Sequence, residues 1–453
     1  MYLPNELVVA IMESLGRHDL KSARLVCKTW CSCASSFLFD KIYVAPNKID
    51  LEVFDAITHD PILSKCVRQL VYDGSEFMPD LTRGSYVRDL WTQTATMFDM
   101  RNFISDSRDS QIKDWTYDVA RQEISLKDAV AKWRNRDIIN RGYKKYREHS
   151  FYQQKALQNG DFVESLVQGL SRLVFLESVT LEGGWPYSVQ TSLCETHLGT
   201  PLARGWDTFY LRPRRWSWKF EEIDSEEWPN EWPTGGRHYW IISAALVRAQ
   251  RHIDEFVIGK NYTSGICAEV FERNDLVQPN ALGSDIAACS GLKRLRLRLA
   301  SRHTGSALGI CENIQGLPKL LGAMHSLMFL DLDLSYNSPY YADLWRYNDV
   351  FPQVMTWNYL EAMELDNLAS SATDLLRLLL IQMPNLKKIR LGTVKLRKGR
   401  WESVIECLKQ FNHFTTFEIY MESILYYCGV YLLGCDNDDI SEYIMHGGRH
   451  PCL

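Results

Sequence analysis

The chain has 453 residues, enough for one large elongated domain or two to three ordinary ones, and its 46% hydrophobic and 24% charged composition is that of a folded globular protein rather than a disordered one. A formal net charge of −5 is small for this length and argues against nucleic acid or an anionic membrane as the main partner. Twelve cysteines are scattered singly with no C-x-x-C pair, which reads as reduced thiols rather than a disulfide framework. The N-terminal run is interrupted by Glu6 and Glu13 and lacks a basic leader, and no apolar stretch approaches the length of a membrane span. Cytosol or nucleus is the expected compartment.

In chain order, the first expected elements are two short amphipathic helices. Pro4 suits a first helical turn, because its missing N–H has no partner there to lose. Leu7, Ile11 and Leu15 recur along one face, and Gly16 is the expected C-cap. Asp19 is a good N-cap for a second helix, along which Leu20, Ala23, Cys27 and Trp30 repeat at 3-4-3 spacing. A unit of this size cannot bury its apolar surface well and needs a partner, either the rest of the chain or another protein.

Leu3-Pro4-x-Glu6-Leu7, then Ile11, Leu15, Asp19-Leu20, Arg24-Leu25-Val26-Cys27-Lys28 and Trp30, resemble an F-box over about residues 1–43. The resemblance implies docking on the Skp adaptor of a cullin–RING ubiquitin ligase, with the remainder of the chain recruiting a protein substrate. Leu3, Pro4, Leu7, Ile11, Leu15, Leu20, Leu25, Val26 and Trp30 are the residues it implies for adaptor binding. Which of them face the adaptor and which face the rest of the chain is open at this point.

From about residue 63 a pattern returns: apolar-x-x-apolar-x-apolar. Val67-x-x-Leu70-x-Tyr72 is a possible early copy, and Leu173-x-x-Leu176-x-x-Val179-x-Leu181 is a loose one. Cleaner copies start at Leu292, Leu327, Leu360, Leu386 and Phe414, separated by 35, 33, 26 and 28 residues. These distances resemble leucine-rich repeats of a degenerate kind. The alternating apolar pair suits a short strand with one buried face, and the spacers carry helical stripes. Asp374 to Met383 is one such spacer, stopped by Pro384; Val404, Ile405, Leu408 and Phe411 mark another. Asn367 is the one asparagine among these copies at a place where leucine-rich repeats carry one. The expected fold class is therefore α/β: a short helical F-box followed by a leucine-rich-repeat-like solenoid with a parallel sheet.

Its divisions are expected at 1–43 for the F-box, 44–160 for a helical linker region with a possible first repeat, 161–425 for the solenoid and 426–453 for a tail. Two stretches break the rhythm. Residues 80–160 interleave Lys132, Arg134, Arg136, Arg141, Lys144, Lys145 and Arg147 with Trp133, Tyr143 and Tyr146. That mixture can stack on nucleic acid, but a solvated helix face is the commoner meaning. Residues 185–240 hold seven of the fourteen tryptophans and read as an insertion from the solenoid. Arg214, Arg215, Trp216 and Trp218 are its candidate substrate anchors, because tryptophan and arginine dominate binding interfaces. Packing of the insertion onto the solenoid as a lid is an equal alternative.

No motif for a catalytic nucleophile, a phosphate loop or a dinucleotide fold is present. Cys428, Cys435, His446, His450 and Cys452 cluster near the C-terminus, but the six-residue gap between the cysteines does not match a common zinc finger. No catalytic residue, cofactor, metal, nucleic-acid partner or membrane partner is expected. The leading reading is a substrate receptor of an SCF-type ligase, with an adaptor-binding scaffold outside a ligase as the alternative.

Overall fold

The structure, a computed structural model, describes residues 3–77, 79, 81–86, 137–182, 214–215, 234–259, 265–271, 286–300, 316–334, 345–392, 394–410, 414–419 and 437–446. It is a mixed helix and parallel-sheet protein that opens with a small all-helical unit. That unit holds α1 (Asn5–Ser14), α2 (Arg17–Ala23) and α3 (Lys28–Leu38). Three helices replace the expected two. The second ends at Ala23, and the chain restarts at Cys27, which is extended and caps α3. Gly16 is not a left-handed C-cap; it is extended, and its carbonyl accepts from Leu20 N at 3.0 Å to open α2. Asp19 therefore lies inside α2 rather than capping it, where its charge still favours the N-terminal dipole.

Beyond this unit lie nine strands that define the protein: β1 (Lys41–Val44), β2 (Gln69–Asp73), β3 (Ser178–Glu182), β4 (Glu255–Ile258), β5 (Arg294–Ala300), β6 (Phe329–Asp333), β7 (Ala362–Asp366), β8 (Lys388–Leu391) and β9 (Thr416–Ile419). They lie side by side in chain order, every neighbouring pair parallel. The two-residue strand Ile266–Cys267 adds to the end of β5.

The register never slips. Ile42, Leu70, Val179, Phe256, Leu295, Leu330, Met363, Ile389 and Phe417 stand opposite one another as one ladder across the sheet. Val44, Tyr72, Leu181, Ile258, Leu297, Leu332, Leu365, Leu391 and Ile419 form the second. All eighteen are buried, as the two-residue period of a strand requires when one face meets the core. The apolar residue three positions before the first ladder residue is buried in the turn before each strand: Val67, Leu176, Leu292, Leu327, Leu360, Leu386 and Phe414; the loose copy read as starting at Leu173 thus takes its place in the pattern from Leu176. Two copies escaped the sequence reading, Phe39-x-x-Ile42-x-Val44 and Ile253-x-x-Phe256-x-Ile258.

Helices between the strands cover the ladders. They include α4 (Lys48–His59), α5 (Asp137–Gln158), α6 (Asp161–Arg172) and α7 (Thr234–Arg248). Helices α4 and α6 pack closely because residue 169 is glycine; a Cβ there would collide with the buried Phe54 ring. Ladders and helices form one continuous hydrophobic cluster, with few polar side chains inside it. At roughly 1.5–3 kcal/mol for each large apolar side chain removed from water, this cluster is the main source of stability.

The expected spacer helix after Ser371 forms as Ala372–Leu376 and continues as a π-helical turn over Arg377–Gln382, ending before Pro384. Ser371 caps it by accepting from Asp374 N at 3.0 Å. The next spacer forms a helix over Trp401–Lys409, with Val404, Ile405 and Leu408 buried; Phe411 lies outside the described residues. Asn367 sits where the chain leaves β7 for a second, three-stranded parallel sheet built from Trp345–Arg346, Leu368–Ser371 and Val394–Lys398. Its φ of 63° is a left-handed corner that asparagine tolerates better than most residues. Its amide donates to Asp333 Oδ1 at 3.3 Å.

Elements of the structure run across the divisions drawn from the sequence. The sheet begins at Lys41, so β1 starts at the end of the segment assigned to the F-box, and β2 falls in the 44–160 stretch, where a possible first repeat was expected. The tail contains the helix Asn437–His446, which packs on β9 and on Trp401–Lys409. Tyr443 and Ile444 enter the core, and Tyr443 Oη donates to Glu406 at 2.5 Å. The end of the assigned insertion belongs to α7, where Tyr239 and Trp240 are buried. Among the described residues no helix is long and apolar enough to cross a membrane.

Candidate functional site

Two surfaces stand out, and the first is on the helical unit. Its core is made by Val8, Met12, Leu20, Ala23, Ala34 and Leu38, with Leu15, Trp30, Cys33, Phe37 and Phe39 packed around them. In α1 the inward stripe is thus Val8, Met12 and Leu15, not the Leu7, Ile11 and Leu15 face read from the sequence. Leu7 and Ile11 lie about a quarter-turn away, since successive helical residues rotate by about 100°. The helix carries two apolar stripes, and the unit's own core uses only one.

The other stripe faces outward. Leu3 and Leu7 are 43% and 52% exposed, and Leu25 and Val26 between α2 and α3 are 87% and 63% exposed; Val9, 37% exposed, lies on the opposite flank of Val8 and is not part of this stripe. Pro4 is also exposed, while Ile11, Leu15 and Trp30 are half-buried and Leu20 is buried. So many exposed large aliphatic side chains in a unit this small call for a covering partner. Phe39 packs against both this unit's core and the core of the sheet, and Arg24 lies over its ring at 4.9 Å. One aromatic thereby ties the helical unit to β1.

The second surface is the open face of the sheet, made by the strand residues that alternate with the ladders. It is polar over β5 to β9. The outward residues of β5 are Arg294, Arg296 and Arg298; those of β6 are Phe329, Asp331 and Asp333. Register places Arg294, Phe329, Ala362, Lys388 and Thr416 in one row, and Arg296, Asp331, Glu364, Arg390 and Glu418 in the next. Ion pairs link neighbouring strands: Arg294–Glu255 at 3.2 Å, Arg298–Asp333 at 3.3 Å and Arg390–Glu364 at 3.1 Å. In the turns below, Lys293 pairs with Asp254 at 2.9 Å and Lys387 with Glu361 at 2.8 Å. The guanidiniums of Arg294 and Arg296 lie 4.7 and 5.1 Å from the Phe329 ring centre.

A cleft of about 630 Å³ opens across β5 to β9, floored by Phe329 and Ala362 and rimmed by Glu361, Glu364, Lys387, Lys388, Arg390 and Glu418. Beside it, burial pushes the Asp331 carboxyl up to about 6, and Glu364 directly across the strand pair adds to the shift. The like-charged pair is partly offset by Arg296 and Arg298. The sequence copies mark the buried positions; the same copies, read at their intervening positions, identify these outward residues.

A buried polar cluster lies on the other side of the sheet. Tyr72 Oη bonds His238 Nδ1, and His238 Nε2 meets Glu76 at 2.8 Å. Arg237 reaches both oxygens of Glu76 at 2.5 Å. Burial alone would raise Glu76, but the hydrogen bond and charge of His238, with Arg237, outweigh it and hold the carboxyl below its ordinary value. Burial pushes the Tyr72 hydroxyl well up. Tyr72 and His238 are fully buried, so the cluster satisfies polar groups between β2 and α7 rather than meeting a substrate.

Arg214 and Arg215 form a two-residue strand antiparallel to Glu76–Phe77. Trp216 and Trp218 lie outside the described residues, as do Cys428, Cys435, His450 and Cys452. On α5, Tyr146 is buried and Tyr143 half-buried, its hydroxyl donating to Leu81 O at 2.8 Å. Arg141, Lys144, Lys145 and Arg147 are exposed, so the two tyrosines pack inward and the cations form a solvated face. Trp133 lies outside the described residues. Among the described residues no group of three or more His, Cys, Asp or Glu side chains is arranged to hold a metal ion.

Residues 1–45 match the F-box-like domain family. The match spans the three helices and β1, the segment that carries the outward apolar stripe, and it supports an F-box protein. No curated protein matches the chain.

Proposed function

We propose that this chain is the substrate-recognition subunit of an SCF-type cullin–RING ubiquitin ligase, docking on the Skp adaptor through its F-box-like unit and holding a protein substrate on the sheet that follows. The observation that carries the reading is the exposed set Leu3, Leu7, Leu25 and Val26 on a unit whose own core is already filled. We read the region from β1 to β9 as a degenerate leucine-rich-repeat solenoid. Supporting this are strands in chain order, parallel pairing throughout, and a register shared by copies of one short pattern. Such an array is rigid along its length, because each repeat shares its core with both neighbours. Rigidity allows a receptor to work by proximity: it holds a substrate near the catalytic end of the assembly and supplies no catalytic residue itself. Arg214, Arg215, Trp216 and Trp218 stay in this proposal as further substrate contacts, because the first two begin a segment paired to the edge of Glu76–Phe77.

The test is capture of the purified Skp adaptor and its cullin by the full chain. Leu25 is 87% exposed, so Leu25→Asp leaves the fold intact and places a carboxylate in the docking face. Wild type should retain adaptor and cullin, and Leu25→Asp should lose both. A wild-type chain that fails to hold the adaptor would refute the reading. Adaptor without cullin would favour a scaffold role outside a ligase.

A further inference from the structure

We infer that the cleft across β5 to β9 takes a peptide segment of the substrate in which an apolar side chain lies next to an acidic one. This inference rests on the receptor reading above and names the chemistry of what is received.

The argument starts from register. Ala362 stands between Phe329 on β6 and Lys388 on β8, so the floor of the cleft is a methyl group beside an aromatic ring. That makes a notch lined by a methyl group and by the edge of a ring whose strand-β5 side is taken by the Arg294 and Arg296 guanidiniums. Leucine, methionine or phenylalanine fills such a notch with gain, because each removes apolar surface from water without stranding a polar group.

The charges around the notch then set the sign of what lies beside it. Each carboxylate on the rim has a cation: Glu361 has Lys387 at 2.8 Å, Glu364 has Arg390 at 3.1 Å, and Glu418 has Arg390 at 4.0 Å. Of the four cations lining the cleft, Arg294 is held by Glu255 at 3.2 Å, and Lys387 and Arg390 are engaged as above. Lys388 differs. Its register neighbours are Ala362 and Thr416, both neutral, and among the described residues no carboxylate lies within ion-pair reach of it. It is exposed and points out from the same face as the notch. A basic ligand would meet carboxylates already satisfied and a lysine that repels it. An acidic ligand gains a partner for Lys388 and displaces none. Complementary charge at such a rim sets specificity and association rate more than raw affinity.

A phage-displayed library of random twelve-residue peptides, selected on the full chain in complex with the Skp adaptor, tests this. Enriched peptides should carry an apolar residue next to one or more acidic residues. Binding of a synthetic enriched peptide, measured by fluorescence polarisation, should weaken about tenfold or more in Lys388→Glu, the size expected for loss of a charge-assisted contact. That substitution is on an exposed side chain, so folding is retained. Ala362→Trp should fill the notch and abolish binding; a thermal melt equal to wild type confirms that the loss is local. Enrichment of basic or purely apolar peptides overturns the inference, as does no enrichment, or binding indifferent to Lys388→Glu. The adaptor's presence in the selected complex is scored separately. Failed peptide selection on an intact complex thus sinks the substrate class alone, whereas a complex that never forms sinks the receptor reading beneath it.

Discussion

Leu7 and Met12 lie on the same helix, and replacing each by alanine should separate docking from folding. Leu7 is 52% exposed in the free chain, so about half of its surface remains to be buried by a partner. Full burial of a leucine is worth about 1.5–3 kcal/mol, which leaves about 1 kcal/mol for the adaptor contact. Since about 1.4 kcal/mol is a factor of ten, Leu7→Ala should weaken adaptor binding about fivefold to tenfold. Leu7→Asp adds the desolvation of a carboxylate, several kcal/mol, and should abolish measurable binding. Neither change should loosen the unit, because the site lies outside the local core, alanine is a better helix former than leucine, and an aspartate in the first turn of α1 is favoured by the helix dipole. Met12 is 1% exposed inside that core. Met12→Ala should cost about 2–5 kcal/mol of local stability. Calorimetric titration with the adaptor gives the first quantity, and hydrogen exchange of the amides in α1 to α3 gives the second. If Leu7→Ala binds the adaptor within a factor of two of wild type, the outward stripe is not the docking face.

Further outcomes follow from the sheet. Leu330 is fully buried between Leu295 and Met363 in the ladder, so Leu330→Asp should unfold much of the array, and a wild-type melting temperature would contradict the shared core. The Asp331 carboxyl is raised from 3.8 to about 6 in the folded chain, so the folded state holds the extra proton between those values and stability falls as pH rises through that window. Asp331→Asn should therefore melt higher than wild type at pH 8, with the difference vanishing below pH 4; an advantage that grows on acidification would refute the assignment. Tyr72→Phe removes the hydroxyl that His238 Nδ1 bonds and should cost about 1–3 kcal/mol in urea unfolding, because a buried ring nitrogen loses its partner.

Local pattern determined which residues enter seven of the nine strands of the main sheet, all but β1 and β4. Val67, Leu292, Leu327, Leu360, Leu386 and Phe414 announce buried turns because a strand with one covered face must alternate, and alternation is written directly in the residue order. The helical stretches after Ser371 and Arg400 were legible for the same reason, with a cap or a proline to bound them. The F-box-like segment was legible as a motif, since Leu3-Pro4-x-Glu6-Leu7 and Arg24-Leu25-Val26 are contiguous. What the residue order could not decide was which side of each element meets which neighbour. In α1, Leu7, Val8, Ile11 and Met12 are all apolar, and only packing against Ala34 and Leu38 selects Val8 and Met12 as core and leaves Leu7 outside. In the sheet, Lys388 is one of many lysines until β7 and β9 set Ala362 and Thr416 beside it; pairing across strands separated by 26 and 28 residues leaves it without a carboxylate partner among the described residues. Burial within one element follows from the period of its own backbone, whereas charge pairing and interface exposure depend on residues distant in the chain, and only the tertiary structure brings those together.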